Sequence, residues 1–316
     1  MLSARIAGIG GYRPERVVPN DAVCPPLRCT PDWIVRRSGI TSRRFAGPRE
    51  TLVEMGADAA DKALADAGIS PLCIDQVIVA TMSDVNSSAP LSHQIAARCG
   101  ITAGAWDVNA ACAGFTVALA AAAAAVHTGS SGNSLVVGTE RMSDIIAPDD
   151  PSTAFLFGDG AGAVVVTGDG RPGIAPVVQG TRTDLLDAIT VQPEGADGRP
   201  CLRMSGSAVY RWAVTSLPTV IRTALERADV RAADIRAFVP HQSNLRIIDA
   251  VAVAVGFSAD VVIARDIVAA GNTSAASIPL ALDALRSSGA VASGDLAVLV
   301  GYGAGLTYAA MVARVP

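Results

Sequence analysis

Asn109-Ala110-Ala111-Cys112-Ala113-Gly114-Phe115, with the apolar run behind it, decides how the rest of the chain folds. From Ala110 to Val126 there is no charge, the only polar side chains are Cys112 and Thr116, and Ala120 to Ala125 is an unbroken alanine tract. Alanine has almost no side-chain entropy to lose in a helix. A helix apolar on every side has no solvent face, so this run is expected to be buried. It does not read as a membrane span, because alanine is barely hydrophobic and the run is shorter than about 18–20 residues. Ala105-Trp106-Asp107-Val108 before it reads as a short strand. Cys112 then sits where a strand turns into a buried helix, and free backbone N–H groups there favour a thiolate. The plain alternative is one more buried cysteine.

Composition narrows the class. Half of the 316 residues are hydrophobic and 17% are charged, with a mean hydropathy of +0.39, enough to bury a large core. A formal net charge of −4 argues against a nucleic-acid surface. Cys24, Cys29, Cys73, Cys99, Cys112 and Cys201 fall at no zinc-like or disulfide-ladder spacing, and Cys24 with Cys29 alone is no metal site. Met1-Leu2-Ser3-Ala4-Arg5-Ile6 lacks the apolar core of a secretory signal. The expectation is a reduced, cytoplasmic protein with no metal and no membrane partner.

Residues 2–12 are expected to form a first strand and 19–29, with three prolines, a loop. Thr30-Pro31-Asp32-Trp33 marks a helix start that Gly39 stops. Trp33 with Arg36, Arg37 and Arg43 is either a surface helix with an inward tryptophan or an aromatic-plus-arginine patch for a nucleotide. An amphipathic helix over 51–67, a buried strand over 75–81, a polar loop over 83–88 and a helix over 90–98 follow. Further strands are read at 134–138, 161–167, 235–240, 295–300 and 306–313, and helices at 206–228, 244–255 and 275–286.

The second half repeats the first. Asn109 to Leu119 aligns with Asn272 to Leu282 at an offset of 163, Ser131 to Gly138 with Ser293 to Val300 at 162, and Asp75 with Asp234 at 159. Gly158 to Gly162 aligns with Gly301 to Gly305 at 143, implying about 20 extra residues in the first half, around 140–157. The chain is therefore divided into halves 1–168 and 169–316, each with a buried helix, related by an approximate twofold. Cys112 opens the helix of one half and Asn272 leads into its twin. His241 follows the strand equivalent to 75–81. Strand ends and helix starts are where α/β sites form, and a Cys/His/Asn set there suits nucleophilic catalysis. His93, on a surface helix, and His127, at a helix end, are poorer candidates. The glycine runs lack dinucleotide spacing; close backbone crossing explains them better, and the second can offer a backbone N–H to an oxyanion.

Ala110-Ala-Cys112-Ala-Gly-Phe-Thr116, Phe157-Gly-Asp-Gly-Ala-Gly162, Pro240-His-Gln-Ser-Asn-Leu-Arg-Ile247 and Gly271-Asn-Thr-Ser-Ala-Ala-Ser277 resemble β-ketoacyl-[acyl-carrier-protein] synthase III of the thiolase-like fold, over essentially the whole chain. The resemblance implies a five-layered αβαβα architecture, a homodimer, and an acyltransferase that uses acyl-CoA and malonyl-acyl carrier protein, with coenzyme A and phosphopantetheine thioesters as substrates and no cofactor. It implies that Cys112 accepts the acyl group, that His241 and Asn272 stabilise the enolate left by decarboxylation, and that the backbone N–H groups of Cys112 and Ala304 form the oxyanion hole. Trp33 and Arg37 match coenzyme A contacts, which selects the nucleotide reading of that helix. Asn244 and Arg246 match positions near the tunnel mouth, Arg246 on the face that receives the carrier protein.

Acylation wants a thiolate at neutral pH, and decarboxylation wants two neutral donors in a dry pocket. An aspartate at 272 would repel the developing charge, so asparagine there favours carbon–carbon bond formation. Three departures stand out. The arginine that usually covers the adenine is replaced around Pro151-Ser152, and the family's Phe-Gly-Gly-Gly-Phe run is Tyr302-Gly303-Ala304-Gly305-Leu306. Near Ser87-Ser88, where a bulky residue often lines the acyl pocket, the side chains are small, which predicts a starter larger than acetyl. The expected roles are fatty-acid initiation or polyketide starter selection. The rivals are an acyltransferase or thioester hydrolase without condensation, and a non-catalytic partner subunit, which would be expected to lack Cys112.

Overall fold

The structure is a computed structural model that describes residues 3–85, 89–171, 173–194 and 198–316. In chain order the first half comprises β1 (Arg5–Tyr12), β2 (Val17–Pro19), α1 (Asn20–Leu27), α2 (Pro31–Ser38), β3 (Ser42–Arg44), α3 (Leu52–Ala67), β4 (Gln76–Ala80), α4 (Leu91–Arg98), β5 (Gly104–Val108), α5 (Gly114–Thr128), β6 (Asn133–Arg141) and β7 (Asp159–Thr167). The second comprises β8 (Val178–Gly180), β9 (Ile189–Glu194), β10 (Arg199–Met204), α6 (Gly206–Arg227), β11 (Ala237–Pro240), α7 (Leu245–Val255), β12 (Val262–Ile263), α8 (Ile267–Ala270), α9 (Ser277–Ser287), β13 (Leu296–Tyr302) and β14 (Tyr308–Arg314).

Two mixed sheets of five strands carry the core, in the orders β1-β7-β6-β4-β5 and β8-β14-β13-β11-β12. Read in those directions the two sheets have one topology. β4 runs parallel to β6 and β5, as β11 runs parallel to β13 and β12. β6–β7 and β13–β14 are antiparallel. α5 and α9 fill the space between the sheets, α3 and α4 cover the outer face of the first, and α6 covers the second with α7 packed against it. The two halves, alike in topology, together make a five-layered αβαβα thiolase-like fold.

Glycines permit the close approach at the centre. A Cβ on Gly138 of β6 would stand 2.6 Å from the Ala275 carbonyl oxygen, and one on Gly301 of β13 would stand 3.1 Å from Ala113 Cα. Such contacts leave no room for a side chain. Each half thus keeps a glycine where the start of the other half's central helix crosses its strand.

Several sequence expectations change. Residues 20–27 of the expected loop form α1, with Pro25 and Pro26 inside it. The helix ends soon after them, so the lost proline bonds fall in its last turn, while Val23 and Cys24 bury and the Asn20 amide donates to the Ile40 carbonyl at 2.8 Å. The central helix is not buried all round: Ala121 and Ala124 are exposed. The stretch Ala111–Thr128 has the length and apolarity of a membrane span, but 61% of it is buried inside the fold. The glycine runs are not equivalents, since 158–162 opens β7 whereas 301–305 closes β13 and turns. Counting between strands, the first half has 17 residues (142–158) where the second has five (303–307), an insertion of 12 rather than about 20. Aligning the glycines shifted the register.

Candidate active site

Two matched turns meet at the molecular centre. Asn109 Oδ1 accepts the Ala111 N–H at 3.2 Å, and Asn272 Oδ1 accepts the Ser274 N–H at 2.8 Å. Ala111 and Ser274 both take φ +47°, a left-handed conformation seldom adopted by residues with a Cβ. Each then enters a 3-10 turn, Ala111–Ala113 or Ser274–Ala276, ahead of α5 or α9. The twins are therefore alike in geometry, yet Cys112 stands where the second half has Ala275. Because Oδ1 of Asn272 is already engaged, its Nδ2 hydrogens are the polar group left to face the cavity.

His241 follows β11, anchored by its N–H to the Val300 carbonyl at 2.7 Å. Its ring is buried edge-on to Tyr302, with centroids 5.2 Å apart, and Nδ1 lies 2.7 Å from Ser277 Oγ. Burial pushes the imidazole down to about 3, so it is neutral at physiological pH. Cys112 departs from the sequence expectation. Burial pushes its thiol up to about 12, the Ser274 hydroxyl pulling the other way and the Glu140 charge adding to the rise. Desolvation outweighs the helix start, so the resting group is a thiol.

Cys112, His241, Asn272 and Ala304 line one cavity of about 30 Å³, room for roughly one water, walled by Met82, Phe157, Ile189, Leu202, Met204 and Val209. Gly303 makes this possible: a Cβ there would lie 2.6 Å from the Cys112 nitrogen. The backbone of the 303–304 turn can therefore press against the nucleophile's own N–H. Beneath the site Glu140 is wholly buried, and its carboxylate takes N–H groups from Met82, Ser83 and Ala275 and hydroxyls from Thr81 and Ser83. Burial holds it above the usual carboxylate range. It ties the end of β4 to the turn before α9, one strap across the two halves.

The inner cavity opens past Met204, Val209, Ser243 and Asn272 into an outer one of about 680 Å³. Trp33, Arg37, Pro151, Ser152, Asn244 and Arg246 all line it. The Arg37 guanidinium lies 4.8 Å from the centre of the Trp33 ring, and Phe155 meets that ring edge-on at 5.1 Å. Asn244 has a structural duty: it caps α7 through the Arg246 N–H at 2.9 Å and donates to the Arg37 carbonyl at 3.0 Å, locking α7 to α2. Arg246 is exposed, 5.6 Å over Tyr210. Ser87 and Ser88 lie outside the described residues. Sequence reading missed Ser277 and Glu140 as parts of the site. Ser277 ends a motif already singled out, whereas Glu140 carried no signal beyond being an acid at the end of an apolar strand.

Comparison with known proteins agrees with this geometry. The profile of 3-oxoacyl-[acyl-carrier-protein] synthase III matches residues 106–183, and that of its C-terminal domain matches residues 225–315. A beta-ketoacyl-[acyl-carrier-protein] synthase III of Streptomyces lividans is 47% identical over 99% of this chain and 95% of its own. The chain belongs to the synthase III family. Among solved structures, the priming beta-ketosynthase of the R1128 polyketide biosynthetic pathway is 47% identical with a TM-score of 0.97, covering 100% of this chain and 97% of that one. The synthase III of Aquifex aeolicus VF5 is 35% identical with a TM-score of 0.92, covering 99% of this chain and 100% of that one.

Proposed function

We propose that this chain is an acyltransferase of the β-ketoacyl-[acyl-carrier-protein] synthase III type. It moves an acyl starter from coenzyme A to Cys112, then condenses it with malonyl-acyl carrier protein, releasing CO2 and a β-ketoacyl product. The observation that carries the reading is the convergence of Cys112, His241 and Asn272 on one small, mostly apolar-walled cavity that continues into an outer cavity lined by Trp33, Arg37 and Arg246.

Cys112 attacks the starter thioester, its proton passing toward the neutral His241 ring and on to the departing coenzyme A thiol. The backbone N–H groups of Cys112 and Ala304 receive the tetrahedral oxyanion. In the second stage the malonyl thioester carbonyl sits against His241 Nε2–H and Asn272 Nδ2–H. Loss of CO2 puts negative charge on that oxygen, where two neutral donors in a water-free pocket stabilise it best. The carbanion attacks the acyl carbonyl on Cys112 and the thiol is released. No resident cofactor or metal takes part; coenzyme A and phosphopantetheine arrive as thioesters, with Arg246 on the carrier-protein face. Pro151 and Ser152 stand at the outer cavity where the family's arginine is expected, so coenzyme A binds there in a different way or the donor arrives on a carrier protein.

A homodimer and a cytoplasmic location belong to the same reading. In support of the dimer, β5 is an edge strand with Trp106 41% exposed, an unpaired edge of the kind a second copy would cover. A starter larger than acetyl remains the reading of Ser87 and Ser88.

The deciding experiment is intact-protein mass after incubation with acyl-CoAs of increasing chain length and then malonyl-carrier protein, with Cys112→Ala as control. An acyl adduct on the wild type alone, discharged with CO2 and a β-ketoacyl product, is expected. Discharge to water or another acceptor without CO2 makes the enzyme a hydrolase or simple acyltransferase. Turnover of acetyl-CoA alone removes the large starter.

A further inference from the structure

The pair Cys24 and Cys29 is left unused by this chemistry. Cys24 is buried near the end of α1 and Cys29 is half-buried just before Thr30, the N-cap of α2. Their sulfurs are 3.2 Å apart with Cys29 donating, and the Cys29 N–H also reaches the Cys24 carbonyl at 3.3 Å. A disulfide bond of about 2.05 Å needs only a further ångström or so of approach. Asn20, at the start of the same helix, is fixed by Arg43. Arg43 is wholly buried, and its Nη2 donates to Asn20 Oδ1 and to the Phe155 carbonyl, each at 2.9 Å. Nε and Nη1 have no acceptor among the described residues. Burial and then the neighbouring Cys29 push the Cys24 thiol up to about 11, against a lesser pull from Arg43, so Cys24 rests as a thiol.

We propose that Cys24 and Cys29 form a reversible redox site beside the outer cavity, oxidised by low-molecular-weight disulfides. Cys29, the more exposed, attacks the small disulfide as its thiolate, forming a mixed disulfide and expelling one small thiolate. Cys24 then gives up its proton and attacks the Cys29 sulfur; the Cys24–Cys29 bond forms and the second small thiolate leaves. The two protons of the cysteines end on the two small thiols, and the small disulfide is the species reduced. Closing the bridge draws Cys29 toward α1 and with it the first turn of α2, which presents Trp33 to the outer cavity.

The test is to treat the protein with oxidised glutathione and digest it with trypsin under non-reducing conditions. Trypsin cuts after Arg28, between the two cysteines, so residues 17–28 and 29–36 separate when reduced and stay joined when bridged. The joined pair is expected, separable by dithiothreitol, with Cys24→Ser instead retaining glutathione on Cys29. Exposed Cys73 is the internal control. Glutathione on Cys73 with residues 17–28 and 29–36 separate and unmodified would overturn the proposal, and so would a lasting glutathione adduct on Cys29 of the wild type. The link to the cavity, which rests on the acyl-CoA reading, is tested by calorimetry of coenzyme A on Cys112→Ala. Bridging should weaken binding about threefold or more. Equal affinity in both redox states overturns that link alone, and no affinity in either state counts against the acyl-CoA reading while leaving the peptide result standing.

Discussion

Ser277 Oγ stands 2.7 Å from Nδ1 of His241 while taking the Gln242 N–H at 3.3 Å. With one lone pair so filled, the serine proton is free to point at Nδ1, which leaves the ring proton on Nε2, toward the cavity. A hydroxyl can also turn and accept from Nδ1–H, so it serves the ring in either tautomer. A methyl group can do neither. Ser277→Ala strands a buried ring nitrogen, a loss of about 1–3 kcal/mol, and should slow decarboxylation of malonyl-carrier protein by about 10- to 100-fold, with Ser277→Thr restoring most of it. The 15N shifts of the His241 ring report the tautomer directly. Wild-type turnover and an unchanged tautomer in Ser277→Ala would remove serine from this role.

Cys112 and His241 are shifted in opposite directions by one cause, burial, and this sets a pH signature. A thiol held near 12 is alkylated in proportion to its thiolate fraction, so the rate at Cys112 should rise about tenfold per pH unit between about pH 6 and 9. His241, pushed to about 3, adds no inflection near its ordinary 6.5. Its effect on stability follows the same sign. The unfolded chain binds a proton below about 6.5 and the native ring does not, so stability due to His241 falls as pH drops from about 6.5 toward 3. Iodoacetamide labelling followed by peptide mass checks the first statement. A plateau at about pH 7–8 would mean that Cys112 rests as a thiolate after all.

Much of this was legible in the sequence because duplication writes the same pattern twice. Asn109 and Asn272, 163 residues apart, announce matched turns, and the structure gives both the same side-chain hydrogen bond and the same left-handed residue. What was not legible depended on burial. The thiolate expected at a helix start became a thiol, because the same apolar helix that marks the site also strips it of water. α1 hid behind Pro25 and Pro26, since proline spells loop locally while Asn20, Val23 and Cys24 are held by contacts distant in sequence. Glu140, placed by the sequence at the start of an insertion around 140–157, ends β6 instead and is a strap between halves.

Gly303 owes its identity to Cys112. It adopts an extended conformation open to any residue, so its own backbone does not demand glycine. The neighbour does, because a Cβ would fall 2.6 Å from the Cys112 nitrogen and 3.1 Å from its Cβ. Gly303→Ala must push the two backbones apart, moving the Ala304 N–H from the Cys112 N–H. Removing one oxyanion donor typically costs about 10²–10³ in rate, so acylation should fall by that order with the melting temperature lowered only modestly. Rapid-quench acylation with thermal melting checks this, and near-normal acylation would place the oxyanion elsewhere.

Asn272→Asp separates the two half-reactions. The introduced Oδ1 can still accept the Ser274 N–H at the 2.8 Å now seen, so the turn before α9 keeps its geometry. What changes is the atom facing the cavity, from an amide donor to a carboxylate oxygen. Acylation of Cys112 relies on backbone N–H groups and should persist within a few-fold. Decarboxylation builds negative charge against that oxygen and should fall by about 10²–10³. A buried carboxylate resists ionisation, so acidification should return a proton to the introduced side chain and with it a donor, recovering part of the lost rate below neutral pH. The wild type has no titrating group at this position and should show no such recovery. Malonyl-carrier protein decarboxylation, followed as CO2 release across pH with acyl-enzyme mass measured alongside, reads both halves. If the variant decarboxylates at the wild-type rate, Asn272 is not the donor to the enolate and the condensing reading loses its main support.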